Sequence, residues 1–200
     1  MKILNLYAGI GGNRKLWGDT HEITAVELNP QIAKIYQDFF PKDKVIVADA
    51  HQYLLENIRN GWDFIWSSVP CPTHSVIRAI AGVGRGQVEI VYPDMRLYQE
   101  IIILQNYCRC KFCVENVVAY YEPLIKPHQI ERHYFWTNFH IGAYKSKKRD
   151  KDDIDSLQRF TGFDITDKLL LRNCVEPELG LHILNESQKN IHNFLITICP

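Results

Sequence analysis

Short apolar runs alternate with amphipathic stretches over the first two thirds of the chain. The runs at residues 2–7, 22–27, 44–47, 63–67 and 111–115 (KILNLY, EITAVE, KVIV, DFIWS, KFCVE) have strand length and are rich in β-branched and aromatic side chains. Between them, residues 13–17, 30–39, 50–59 and 94–107 read as helices. Pro30 and Pro93 suit first-turn positions, where a missing N–H costs nothing. A sixth strand is expected at 133–141 (HYFWTNFHI). Strands alternating with crossover helices predict an α/β fold, an open, doubly wound, mostly parallel sheet. After Gly142 the pattern changes. Residues 144–153 (YKSKKRDKDD) form a charge-dense loop, and short helices are expected at 156–164 and 185–196. The irregular stretch 71–92, with Gly82, Gly84 and Gly86, reads as a mobile loop.

Composition narrows the classes only modestly. Two hundred residues, 46% hydrophobic, suffice for one real core. The 23 basic and 23 acidic residues cancel, so any nucleic-acid argument must come from local patches. No run reaches membrane-spanning length, and the N-terminus lacks a signal-peptide pattern, so a reduced, cytoplasmic protein without a membrane partner is expected. Cys108, Cys110 and Cys113 form C-x-C-x-x-C without a second pair, so no metal is expected.

Candidate chemistry clusters at strand C-termini. The first strand runs into Tyr7-Ala8-Gly9-Ile10-Gly11-Gly12, where glycines let a ligand approach the backbone and a following helix offers free N–H donors. Glu27, about 20 residues on at the second strand's end, suits ribose hydroxyls, and Asp49 after the third suits an adenine amine. Together they describe an adenosine-type site. The spacing G-x-G-G lacks the third glycine of a dinucleotide fingerprint and favours S-adenosylmethionine over NAD, although a glycine turn alone is a weak signal that a tight turn without ligand also gives. The fourth strand ends in Pro70-Cys71-Pro72, a cysteine clamped between prolines in a rigid segment with no ladder to join. The fifth ends in Glu115, whose carboxyl desolvation would turn into an acid. Read bluntly, the two are a buried thiol and a strand-end glutamate.

These motifs together resemble the DNA (cytosine-5) methyltransferase family over most of the chain. YAGIGG is similar to its cofactor loop, ELNP (27–30) to its acidic second-strand motif, and VADA (47–50) to its third motif. PCPTHS (70–75) resembles its nucleophile motif and ENV (115–117) its catalytic glutamate motif. PDMRLY (93–98), ERHY (131–134), LQRFTGF (157–163) and NCVEP (173–177) resemble its later signatures.

The resemblance implies a Rossmann-like S-adenosylmethionine-dependent enzyme that methylates C5 of a flipped cytosine in DNA. It implies catalytic roles for Cys71, Glu115 and Arg132, in the order nucleophile, N3 acid and O2 donor. S-adenosyl-L-methionine would be held by Tyr7, Ala8, Gly9, Gly11, Gly12, Glu27, Leu28, Asp49, Ala50, Pro70, Asn173 and Val175. Ser75, Arg78, Arg85, Lys145, Lys147 and Lys148 are candidate DNA contacts, and His74 beside the nucleophile is a further candidate to orient DNA. The expected organisation is a catalytic domain over 1–141, a reduced target-recognition region over 142–171, and a C-terminal segment over 172–200 returning to the catalytic domain. Asn5 stands where the family has aspartate, Tyr7 where it has phenylalanine, Pro72 where it has glutamine and Ile130 where it has the first arginine of Q-x-R-x-R. The recognition region shrinks to about 30 residues. This predicts a short recognition sequence or specificity lent by a partner subunit, in a prokaryotic or phage restriction-modification setting. RNA cytosine methylation and an inactive cofactor- or DNA-binding subunit are the alternatives.

Overall fold

The computed structural model describes residues 1–76, 90–147 and 151–189. A seven-stranded sheet runs in the order β3-β2-β1-β4-β5-β7-β6. Its strands are β1 (Lys2–Leu6), β2 (Glu22–Glu27), β3 (Lys44–Val47), β4 (Phe64–Ser68), β5 (Lys111–Val117), β6 (His128–Ile130) and β7 (His133–Thr137). The first five pair in parallel, whereas β7 runs antiparallel to both β5 and β6. This is the expected Rossmann-like α/β sheet. Strand order reverses between β1 and β4, and the crevice beyond their C-termini is where such sheets bind ligands.

Alternation along the strands sends neighbouring side chains to opposite faces. Leu4, Leu6 and Ile65 join α2 (Ala50–Asn57) and α3 (Arg96–Tyr107) in one apolar cluster. Ile3, Phe64 and Trp66 meet Trp17 and Leu179, Ile183 and Leu184 of α6 (Pro177–Gln188) on the other side. A third cluster sets α1 (Pro30–Phe39) against Leu157 of α4 (Ile154–Thr161), Phe163, and Leu171 of α5 (Lys168–Arg172). Residues of the 142–171 stretch therefore pack directly on α1. Among the described residues, no helix is long and apolar enough to cross a membrane.

Local signals account for several element starts. Asn29 caps α1, accepting from the amides of Gln31 and Ile32 with Pro30 at the first position, and Asp49 caps α2 through Gln52 N. Other expectations are corrected. Residues 13–17 make only successive turns, with Lys15 N bonded to Gly12 O and Trp17 N to Arg14 O. Arg14 is drawn into a buried bidentate pair with Asp43 at 2.8 and 3.0 Å, and the Asn13 backbone lies against Gly180. Pro93 lies outside α3, because Asp94 Oδ1 accepts from Arg96 N and starts the helix three residues later than Pro93. The last helix spans Pro177–Gln188 rather than 185–196, whose end lies outside the described residues. β7 stops at Thr137, whose hydroxyl donates to Phe139 O, so Phe139 and Ile141 are buried off the ladder. Strand β6 and helix α5, three and five residues long, are too short to leave a periodic signature.

Candidate active site

A cavity of about 1530 Å³ opens beyond the C-termini of β1, β2, β4 and β5. A pocket for one small ligand typically holds about 300–1,000 Å³, so this one has room for two adjacent molecules.

At its β1 end the backbone is forced into left-handed conformations at Tyr7 (φ 53°) and Gly9 (φ 54°). A Cβ on Gly9 would meet nothing within 4 Å, so the glycine leaves open space facing the cavity. No helix begins at this turn, so the expected helix-terminal donors are missing. Instead Gly9 N donates to Glu27 Oε2 at 3.0 Å, and Asn29 N donates to Glu27 Oε1 at 2.9 Å. A carboxylate has about four lone-pair sites, so Glu27 keeps capacity for a diol's hydroxyls. Asp49, half exposed, keeps acceptor capacity beside its cap and lies 3.8 Å from Arg96. The donor set and the open glycine face fit an adenosine-type cofactor. Ala8, Gly12, Leu28, Ala50, Pro70, Asn173 and Val175 line the same cavity. Gly11 does not. Its Cβ would fall 2.4 Å from Phe40 and 2.9 Å from Tyr36, so it is a packing position under α1.

At the β4 and β5 end, parallel register sets Ser68 beside Glu115. Asn116, buried, donates from Nδ2 to Val69 O at 3.0 Å and so anchors the segment that carries Cys71. The chain turns immediately after Cys71, whose carbonyl accepts from the amides of His74 and Ser75. Cys71, Glu115 and Arg132 all line the cavity. Burial raises the Cys71 thiol above its ordinary value and the Glu115 charge adds to this, so the thiol rests protonated. The site does not lower it. Arg132 sits in the tight turn between β6 and β7, preceded by Glu131 at φ 53°, and Val118 N donates to its carbonyl. Ile130, in the family's first arginine position, is buried in the apolar core.

Among the candidate DNA contacts, Ser75 lines the cavity. Lys145 and Lys147 do not, and Lys147 is paired with Glu178 on α6. Arg78, Arg85 and Lys148 lie outside the described residues. His74 is fully buried, its Nδ1 2.5 Å from the Tyr121 hydroxyl, and burial lowers its proton affinity; it faces inward rather than towards DNA. The cysteine trio divides across the sheet, with Cys108 and Cys110 against the α3 side and Cys113 on the α6 side. Among the described residues no cluster of three potential metal ligands occurs.

Three features escaped the sequence reading. His133 Nδ1 lies 2.7 Å from Glu115 Oε1. Asn116 holds the segment that carries Cys71. Beneath the cofactor end, buried Glu100 gathers the Tyr7 hydroxyl at 2.5 Å, Ser67 Oγ at 2.6 Å and His51 Nδ1 at 2.9 Å. Tyr7's added phenol oxygen is thus matched by an internal carboxylate. A glutamate inside an amphipathic helix pattern carries no signal of that pairing.

Residues 1–120 match the family model described as C-5 cytosine-specific DNA methylase. Among solved structures, a DNMT2 variant from Spodoptera frugiperda is 27% identical over 58% of this chain and 35% of that one, with a TM-score of 0.38. A SAM-dependent methyltransferase from Agrobacterium tumefaciens is 14% identical over 60% and 40%, with a TM-score of 0.41. A putative DNA modification methyltransferase encoded within an E. coli prophage is 16% identical over 61% and 33%, with a TM-score of 0.39. The chain therefore spans only 33–40% of the length of these three proteins. No curated protein sequence matches it.

Proposed function

The chain belongs to the C-5 cytosine-specific DNA methylase family, and from that membership we infer that it methylates C5 of a cytosine in DNA through a covalent adduct at Cys71. Family membership supports S-adenosyl-L-methionine as the cofactor. The observation that carries the reading is that Cys71, Glu115 and Arg132, from three separate segments, border the same cavity as Gly9, Glu27 and Asp49.

When bound, the cofactor supplies an electrophilic methyl carbon on a sulfonium sulfur. Glu27 would accept from its ribose hydroxyls, Asp49 would accept from the adenine amine, and Tyr7 and Leu28 would give apolar contact. Cys71 gives its proton to solvent water and Sγ bonds to C6 of a cytosine turned out of the helix. The C5=C6 pair shifts to C4=C5, N3 takes a proton from Glu115, and Arg132 donates to O2. C5 then accepts the methyl group, a base removes the C5 proton, and the Sγ–C6 bond breaks to free Cys71. Burial and then the Glu115 charge raise the thiol above its ordinary value, so the free protein carries it protonated.

Trapping on DNA containing 5-fluorocytosine tests this, since the fluorine blocks the final elimination. Wild type with S-adenosyl-L-methionine should give a denaturation-resistant adduct and Cys71→Ser none. Absence of a wild-type adduct refutes the covalent reading, and an adduct only on matched structured RNA moves the substrate to RNA. Across DNA sequences, discrimination at more than a few base pairs by the isolated chain would refute short recognition and the need for a partner subunit.

A further inference from the structure

We propose that His133 shares the catalytic proton with Glu115, so that an imidazole–carboxyl pair, rather than a lone carboxyl, protonates N3 at neutral pH. The inference rests on the covalent reading above. Antiparallel pairing of β5 and β7 sets Glu115 opposite Phe135 and Val117 opposite His133. Glu115 and His133 are thus diagonal neighbours on one sheet face, within reach of a long side chain. His133 Nδ1 and Glu115 Oε1 lie 2.7 Å apart, in the range of a charge-assisted hydrogen bond. The imidazole is stacked on Phe135, with centroids 6.2 Å apart and planes at 29°, which holds its orientation. Both groups border the cavity, and Glu115 is only 6% exposed.

Chemistry supplies the reason for the pair. As a class, an imidazolium is a much weaker acid than a carboxyl, so near neutral pH an imidazole carries a proton far more often. Hydrogen-bonded together, the two offer N3 a proton far more often than the carboxyl alone. As Sγ bonds to C6 and the ring electrons move, the single proton of the pair leaves imidazolium Nδ1 for the Glu115 carboxylate, and N3–H forms as that carboxyl gives it up. His133 is left as neutral imidazole and Glu115 as carboxylate. When the C5 proton is removed and the thiol leaves, N3 returns its proton to the pair, so the cycle closes without an external acid. Other titratable groups around the pair are Cys71 after β4 and Cys113 on β5, both of which feel the Glu115 charge, Arg132 on the cavity wall, and His128 opposite Phe135 on β6.

The test is the single-turnover rate of adduct formation on 5-fluorocytosine DNA, from pH 5.5 to 8.5, for wild type and His133→Asn. The amide still donates a hydrogen bond to Glu115 but cannot hold a transferable proton. Alkylation of Cys71 over the same pH range in both proteins corrects the ratio of variant to wild-type rate for any change in its ionisation, which the Glu115 charge influences. That ratio should fall about 10- to 100-fold at pH 7.5 and climb back as pH falls and the carboxyl protonates itself. A ratio flat across the range, whether near one or uniformly low, overturns the inference, because hydrogen-bond positioning alone would explain it. His133→Gln serves equally if the asparagine variant melts early. Failure of wild type to form any adduct removes the covalent reading and this inference with it, whereas a wild-type adduct with a flat ratio removes the inference alone.

Discussion

Gly12→Ala separates two roles that a glycine-rich loop can play, ligand approach and internal packing. A Cβ at residue 12 would lie 2.7 Å from Val175 O, 2.8 Å from Cys174 Cβ and 3.0 Å from Val175 N. Carbon atoms rest about 3.5–4.0 Å apart at their energy minimum, so the segment before α6 must retreat by roughly 1 Å. Two of the three obstacles are backbone atoms, which no rotamer change removes. Overpacking of this kind costs about 1–3 kcal/mol. Restricting the unfolded chain returns about 0.4–1 kcal/mol, since the backbone at residue 12 is not in the left-handed region. The net loss is centred on about 1 kcal/mol and reaches at most about 2.6 kcal/mol, which in a domain of this size lowers Tm by roughly 2–10 °C. Thermal melting followed by circular dichroism measures it, with S-adenosyl-L-methionine affinity determined in parallel by calorimetry. The displaced segment carries Asn173 and Val175, so affinity should weaken along with stability. Unchanged melting with lost affinity would refute the packing argument and return Gly12 to the role that the motif alone implies.

Two further outcomes follow from the titrating groups. The hydrogen bond to Glu100 raises His51 above its ordinary value, so its contribution to stability is complete below the unfolded value, near ~6.5, and is lost as pH rises through the raised folded value. Urea midpoints of wild type and His51→Gln should therefore differ more at pH 5.5 than at pH 9, and an equal gap at both would contradict the pairing. Burial, and then the Glu115 charge, raises the Cys71 thiol, while hydrogen bonds from Cys110 lower Cys108. At pH 7.5 iodoacetamide should label Cys108 before Cys71, as peptide mass spectrometry would read; the reverse order would contradict the assigned environments.

The parallel sheet and the placement of the candidate residues at its strand ends were legible in the sequence because both depend on short stretches. Apolar runs of strand length separated by capped helices imply the crossover order, and glycines, Glu27, Asp49, Cys71 and Glu115 all fall at strand ends, where α/β sheets place their crevice. Tertiary structure decided what each residue faces. Gly11 and Gly12 are neighbours in one motif, yet one is pressed against Tyr36 and Phe40 of α1 and its vicinity, the other against Val175. Residues 13–17 lost their helix to the Arg14–Asp43 pair, formed with a partner 29 positions away. The pairings of Glu115 with His133 and of Tyr7 with Glu100 join residues 18 and 93 positions apart. Periodicity reports which face of an element is apolar, but the identity of a polar partner is set by sheet register and helix packing, which exist only once the chain has folded.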